Sequence, residues 1–115
     1  MLRSDSNSTL SESLEAFRDQ GVFLLLSETF QALGDSSRIQ IVWALAQSEY
    51  SVGALTELLG MTQPAVSHHL RTLRNLKLVR VRKDGRTAFY SLDDDHIHRL
   101  LLEGIEHVNE FVRQS

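Results

Sequence analysis

One proline in 115 residues constrains this chain more than any other residue. Pro64 can sit without cost only in the first turn of a helix, where its missing N–H has no partner to lose. Thr62, two residues earlier, is a good N-cap, so a helix opens beside it. Just upstream, Ser51 can cap a short helix over Val52 to Leu59, and Gly60 can close it at its C-terminal end. Two short helices separated only by Gly60-Met61-Thr62 must turn sharply, which is a helix-turn-helix. In the second helix Val66, Leu70 and Leu73 form the buried stripe. Gln63, Ser67, His68 and Arg71 lie off it. Gln and Arg make bidentate contacts to base edges, while Ser, Thr and His donate to bases or phosphates. Thr62, Gln63, Ser67, His68 and Arg71 are therefore candidate DNA contacts.

The next segment narrows the fold further. Leu78-Val79-Arg80-Val81-Arg82 alternates with period two, as a half-buried strand does. Lys83-Asp84-Gly85-Arg86 contains the Asp-Gly turn signal, and Thr87 to Leu92 returns as a second strand. A hairpin directly after a reading helix is a wing. Arg82, Lys83 and Arg86 at its tip suit the DNA backbone or minor groove, where neutralised phosphates supply salt-dependent affinity.

Upstream, Leu10, Leu14 and Phe17 predict a first amphipathic helix ending near Gly21. A second runs from about Val22 to Leu33 and stops at Gly34. Asp35-Ser36-Ser37 caps a third over 36–47, with Ile39, Val42 and Leu45 inward and Trp43 at the core or an interface. A last helix opens near Asp93-Asp94-Asp95, where acids oppose the positive end of the helix dipole. Its stripe of Ile97, Leu101, Ile105, Val108 and Val112 is long enough to be buried against a second chain. The expected fold is mainly α with a small β-hairpin: a winged helix-turn-helix, dimeric through its N- and C-terminal helices. Residues 1–9 form a polar, Ser/Asn-rich arm expected to be disordered, and 10–115 the single domain.

The net charge of −3 conceals an asymmetry. Residues 63–90 hold seven Lys/Arg against one acid, and residues 91–115 hold six acids against two Arg. A basic segment followed by an acidic one marks one face for an anion and another for a cation. The chain has no cysteine, so disulfides and thiolate ligands are excluded; this fits a cytoplasmic protein. No apolar run reaches the ~20 residues that span a membrane, and the N-terminus lacks the apolar core of a secretory signal.

The cation face has a pattern of its own. His96 and His107 are eleven residues apart, which places them within roughly 20° of one helix face and about 16 Å apart along the axis. One ion with ligand bonds of about 2 Å cannot reach both. Two antiparallel copies of the helix solve this: Asp94 and His96 of one face His107 and Glu110 of the other. Two equivalent sites result, with two imidazoles and two carboxylates each, a set that suits Zn²⁺ at two ions per dimer. Co²⁺ would occupy the same set, and Ni²⁺ would want more ligands. His98 lies about 200° from His96 and reads as surface. Glu103 is on the ligand face between the half-sites. His68 and His69 read as DNA-facing or packing residues.

The chain resembles the ArsR/SmtB family of bacterial metal-sensing repressors over about residues 23–111. The resemblance rests on Thr62-Gln63-Pro64-Ala65-Val66-Ser67-His68-His69-Leu70, on Leu73-Arg74-Asn75-Leu76-Lys77-Leu78-Val79, on Gly85-Arg86 and on Tyr90-Ser91-Leu92. Asp94-Asp95-His96 with His107-Val108-Asn109-Glu110 matches the family's zinc-sensing terminal helix. Ser51-Val52-Gly53 stands where many relatives carry a Cys-based site, which argues against sensing of arsenite, cadmium or lead. The resemblance implies a bacterial, cytoplasmic zinc-responsive repressor whose metal-free homodimer holds operator DNA and whose Zn²⁺-bound form releases it. It also implies an allosteric bond from the second ring nitrogen of His107 to the carbonyl of Lys77. The alternatives are a repressor that answers Co²⁺, Ni²⁺ or a non-metal signal, a zinc buffer, and a metal hydrolase. Four protein ligands would leave no open position for water, and no Ser/His/Asp or His-Glu-x-x-His pattern appears, so no enzyme, small-molecule substrate or membrane role is expected.

Overall fold

The computed structural model describes residues 11–12 and 19–114. The expected N-terminal arm and the helix marked by Leu10, Leu14 and Phe17 lie outside them. The chain divides into two compact units, Met1–Gln31 and Ala32–Ser115.

Helix α1 spans Gln20–Leu33, so it contains Gly21 and begins two residues before the expected start. Asp19 opens it: its Oδ1 accepts from the amides of Gly21 at 2.9 Å and Val22 at 3.3 Å. Val22, Leu24, Leu25 and Leu26 along it are exposed.

In the second unit, α2 spans Ser36–Gln47 and is capped by Asp35, whose carboxylate accepts from the Arg38 amide at 2.9 Å. Arg38 turns back to donate from Nε to the Ala32 carbonyl at 2.9 Å, which closes the turn before the helix. Val42 and Leu45 are buried as expected; Ile41 is also fully buried, and Ile39 only half-buried. A two-residue strand β1, Tyr50–Ser51, follows. The sequence carries no period-two signal for it. Ser51 ends this strand and caps α3, Val52–Leu59, its Oγ accepting from the Ala54 amide at 3.1 Å. Gly60 closes α3 at φ 67°, in the left-handed region that glycine enters freely.

The reading helix α4 spans Gln63–Asn75, with Thr62 accepting from the Ala65 amide at 3.3 Å and Pro64 in the first turn. Val66, Leu70 and Leu73 are all buried and pack with Leu55 and Ile41. Truncating such a residue costs about 2–5 kcal/mol. The helix ends in a paired motif: Leu78 N–H returns to the Leu73 carbonyl at 3.0 Å, and Lys77 N–H to the Arg74 carbonyl at 2.9 Å. Lys77 takes the left-handed position, φ 60°, that such motifs usually give to glycine.

The wing is β2, Val79–Asp84, antiparallel to β3, Thr87–Leu92. The register runs from Val79↔Leu92 to Asp84↔Thr87, so the turn is Gly85-Arg86 rather than Asp84-Gly85. Only Gly85 has positive φ there, the pattern of a hairpin turn with glycine at its first position. Strand β1 pairs with β3 through Tyr50↔Tyr90 and Ser51↔Phe89, giving the order β1-β3-β2. Helix α5, His96–Arg113, completes the unit. Leu101 plugs into the core, whereas Ile105, Val108 and Val112 of the same stripe are exposed. The result is mainly helical with one small antiparallel sheet, a winged helix-turn-helix.

Candidate nucleic-acid interface and metal ligands

The DNA contacts expected from sequence lie on α4 and its N-cap. Thr62, Gln63, His68 and Arg71 are exposed, and Ser67 is half-buried. His69, one residue on, turns inward. Its Nδ1 is buried with no hydrogen-bond partner among the described residues, and its ring centroid is 5.9 Å from that of His68. Burial pushes its pKa below the usual histidine value; Arg38 and His68 add to this, and Asp35 opposes it.

Ser67, Leu70, Arg71, Arg74 and Asn75 of α4 and Tyr90 of β3 line an open groove. Arg74, Asn75 and Tyr90 were not among the residues expected from sequence. The signal for two of them was present: Arg74 and Asn75 follow Ser67 by seven and eight positions, so they share its helix face. Tyr90 joins only through the fold of the wing.

The wing residues divide. Lys83 and Arg86 are exposed and make no ion pair among the described residues. Arg82 is engaged internally: its Nε and Nη2 each donate to the Glu49 carboxylate at 2.8 Å, and its guanidinium lies 5.0 Å from the Phe89 ring centroid. The Arg82 hydrogen bonds hold the Glu49 carboxyl below the ordinary carboxylate range, against a smaller opposing effect of desolvation. The register places Arg82 opposite Phe89, two residue pairs in from the Asp84↔Thr87 end of the hairpin.

Asp94 and His96 are brought together. Asp94 Oδ1 accepts from the His96 amide at 2.9 Å and lies 3.1 Å from His96 Nδ1. Those two hydrogen bonds, the backbone one first, hold the Asp94 carboxyl below its ordinary pKa. The pair is exposed and leaves His96 Nε2 pointed away from its own carboxylate. His107 and Glu110 sit three residues apart on α5, both exposed, on one face of the helix. The two pairs do not meet in one protomer: no group of three His, Cys, Asp or Glu among the described residues is placed to hold an ion. The donor set, two imidazoles and two carboxylates without sulfur, fits Zn²⁺ when two chains contribute. His98 is not plain surface. It is half-buried, its ring edge-on to Trp43 at 5.9 Å and 65°, because the start of α5 packs toward α2. Glu103 is exposed on α5.

The Asp94–His96 pair adjoins the end of α4 through the backbone. The Asp93 amide, one residue before Asp94, donates to the Leu78 carbonyl at 3.0 Å. Leu78 directly follows Lys77 at the end of α4. No hydrogen bond joins His107 to the Lys77 carbonyl within the described protomer.

Residues 35–81 match the profile of bacterial regulatory proteins of the arsR family. The chain is 43% identical over 81 residues to the HTH-type transcriptional regulator KmtR of Mycobacterium tuberculosis, covering 70% of this chain and 62% of that protein. It is 41% identical over 85 residues to the transcriptional repressor SmtB homolog of a Synechocystis species, covering 74% and 64%. The chain thus spans a little under two thirds of the length of these two relatives. The solution structure of apo-NmtR superposes with a TM-score of 0.68 at 42% identity, over 80% of this chain and 77% of that one. These relatives are regulators of transcription, not enzymes.

Proposed function

Since the chain belongs to the arsR family of bacterial regulatory proteins, we propose that it is a metal-responsive transcriptional repressor, acting as a homodimer on operator DNA and released by Zn²⁺. The single observation that carries this reading is the bond from Asp93 to Leu78. It ties the residue beside the Asp94–His96 pair to the residue that ends the reading helix.

In this reading α4 enters the major groove with Thr62, Gln63, Ser67, His68 and Arg71 toward the duplex, Lys83 and Arg86 of the wing lie along the backbone, and Arg82, held by Glu49, joins them only when that pair opens. Asp94 and His96 of one protomer and His107 and Glu110 of the other hold Zn²⁺, two ions per dimer. The ion supplies a fixed crosslink between the two α5 helices and no chemistry on a substrate. His107 has one ring nitrogen left to donate, and a bond to the Lys77 carbonyl would add a second tie to the end of α4. The protein works in the cytoplasm. Zinc weakens DNA binding only to the extent that DNA weakens zinc binding, with couplings of about 1–3 kcal/mol as the usual range.

The test uses duplex DNA from upstream of the protein's own gene, titrated by fluorescence anisotropy with a zinc chelator and then with Zn²⁺. Binding in chelator that weakens at one Zn²⁺ per protomer supports the reading. Co²⁺ substitution is expected to give intense tetrahedral visible bands, lost in His107→Ala while the chain stays folded. Zinc stoichiometry unchanged in His107→Ala would remove the ligand assignment. Release by Ni²⁺ but not Zn²⁺ would replace the metal.

A further inference from the structure

The groove between α4 and β3 is lined by hydrogen-bond donors and by no acid. Arg71 and Arg74 bring two guanidinium groups, Asn75 an amide, Ser67 and Tyr90 hydroxyls, over a floor made by buried Leu70. Both arginines are exposed, and neither is in an ion pair among the described residues. Elsewhere in the second unit, an arginine with a carboxylate in reach takes it, as Arg82 does Glu49 and Arg99 does Asp95 at 3.7 Å. Two unpaired guanidinium groups facing a shared groove constitute an anion site, since Arg matches phosphate geometry in a bidentate fork.

The position selects the anion. At 100° per residue, Ser67, Arg71, Arg74 and Asn75 fall within about 100° of one face of α4. From Gln63 to Arg74 the helix rises roughly 16 Å. A reading helix contacts bases mainly through its N-terminal residues, so its far end stands over the sugar-phosphate wall of the groove. Tyr90, on the central strand of the wing, closes the slot from the other side.

We propose that this slot seats one backbone phosphate of duplex DNA, gripped by Arg74 and Arg71 and hydrogen-bonded by Tyr90. The inference rests on the DNA-binding reading above and deepens it. The slot sets how far α4 enters the groove and carries affinity rather than sequence choice.

The experiment measures binding of the full-length protein to a random-sequence duplex of about 30 base pairs, by anisotropy between 50 and 200 mM salt. Arg74→Ala is expected to flatten the slope of log affinity against log salt by about 0.9 for each protomer bound, and Arg74→Lys to restore it. Tyr90→Phe keeps the ring that packs in the sheet, so it is expected to weaken binding with the slope intact. An Arg74→Ala slope equal to wild type, while wild type binds, overturns the slot and leaves the DNA reading standing. A wild type with no salt-dependent binding overturns both. Inorganic phosphate at matched ionic strength is the second arm, read by the NMR signals of Arg74 Nε–H and the Tyr90 ring. Saturable shifts with phosphate that duplex cannot displace would make the slot a small-anion site and overturn the assignment to DNA.

Discussion

Arg82 and Glu49, thirty-three residues apart, are joined by two parallel 2.8 Å hydrogen bonds from Nε and Nη2 to the two carboxylate oxygens. The pair fastens the wing to the segment leading into β1. It also cancels the charge of one of the three wing cations that the sequence offers to DNA. Glu49→Gln is therefore expected to strengthen binding to non-specific duplex and to steepen its salt dependence by up to about one contact per protomer. Equal slopes for the variant and wild type would mean that Arg82 serves the wing alone.

Lys77 gives a prediction about stability. Its φ of 60° costs an L-residue about 1–2 kcal/mol, which glycine avoids. Glycine also loosens the unfolded chain, which returns about 0.4–1 kcal/mol of that gain. Lys77→Gly is expected to raise stability by about 0.5–1 kcal/mol, read as a shift in urea midpoint at constant m-value. A lower midpoint would show that the Lys77 side chain holds the motif together.

His69 predicts a pH dependence. Burial lowers its pKa in the folded protein, so the unfolded chain takes up a proton more readily. Its contribution is complete above the ordinary histidine pKa and declines as pH falls from there through the lowered folded value. The urea midpoint of wild type is expected to drop between about pH 7.5 and 5.5, and His69→Phe to drop less. Parallel curves for the two proteins would assign the effect to other groups.

The exposed stripe of α5 predicts the assembly. Ile39, Leu101, Gly104, Ile105 and Val108 line a shallow apolar groove, and Val108 is 55% exposed. Contiguous apolar surface of this kind marks an interaction face. Val108→Asp is expected to turn a dimer into a monomer by sedimentation equilibrium, with the circular dichroism of the fold kept. A dimer that survives the change would move the interface off α5.

The helix-turn-helix was legible in the sequence because its signals are local. Ser51, Gly60, Thr62 and Pro64 each act through the backbone within a few residues, and their caps form as expected. What escaped depends on partners far along the chain. Strand β1 is two residues long and exists only because Tyr90 lies opposite Tyr50. Arg82 could not be read as an internal ion-pair residue before the fold put Glu49 beside it. The hairpin turn shifted by one residue because β2 pairs through to Asp84, which overrode the Asp-Gly signal. The four ligands expected from spacing are not gathered by one chain: among the described residues only Asp94 and His96 of the four are in contact.

The root and the tip of the wing are under separate control. At the root, β1 feeds directly into the reading unit through Ser51, and the Asp93–Leu78 bond closes the other side. At the tip, the last paired residues are Asp84 and Thr87, and only Gly85 and Arg86 lie beyond them. Residues added between Asp84 and Thr87 would lengthen the wing's reach without altering its aim. The hairpin tip is thus the place where this scaffold tolerates variation in length, and the two-residue strand Tyr50–Ser51 is the place where it does not.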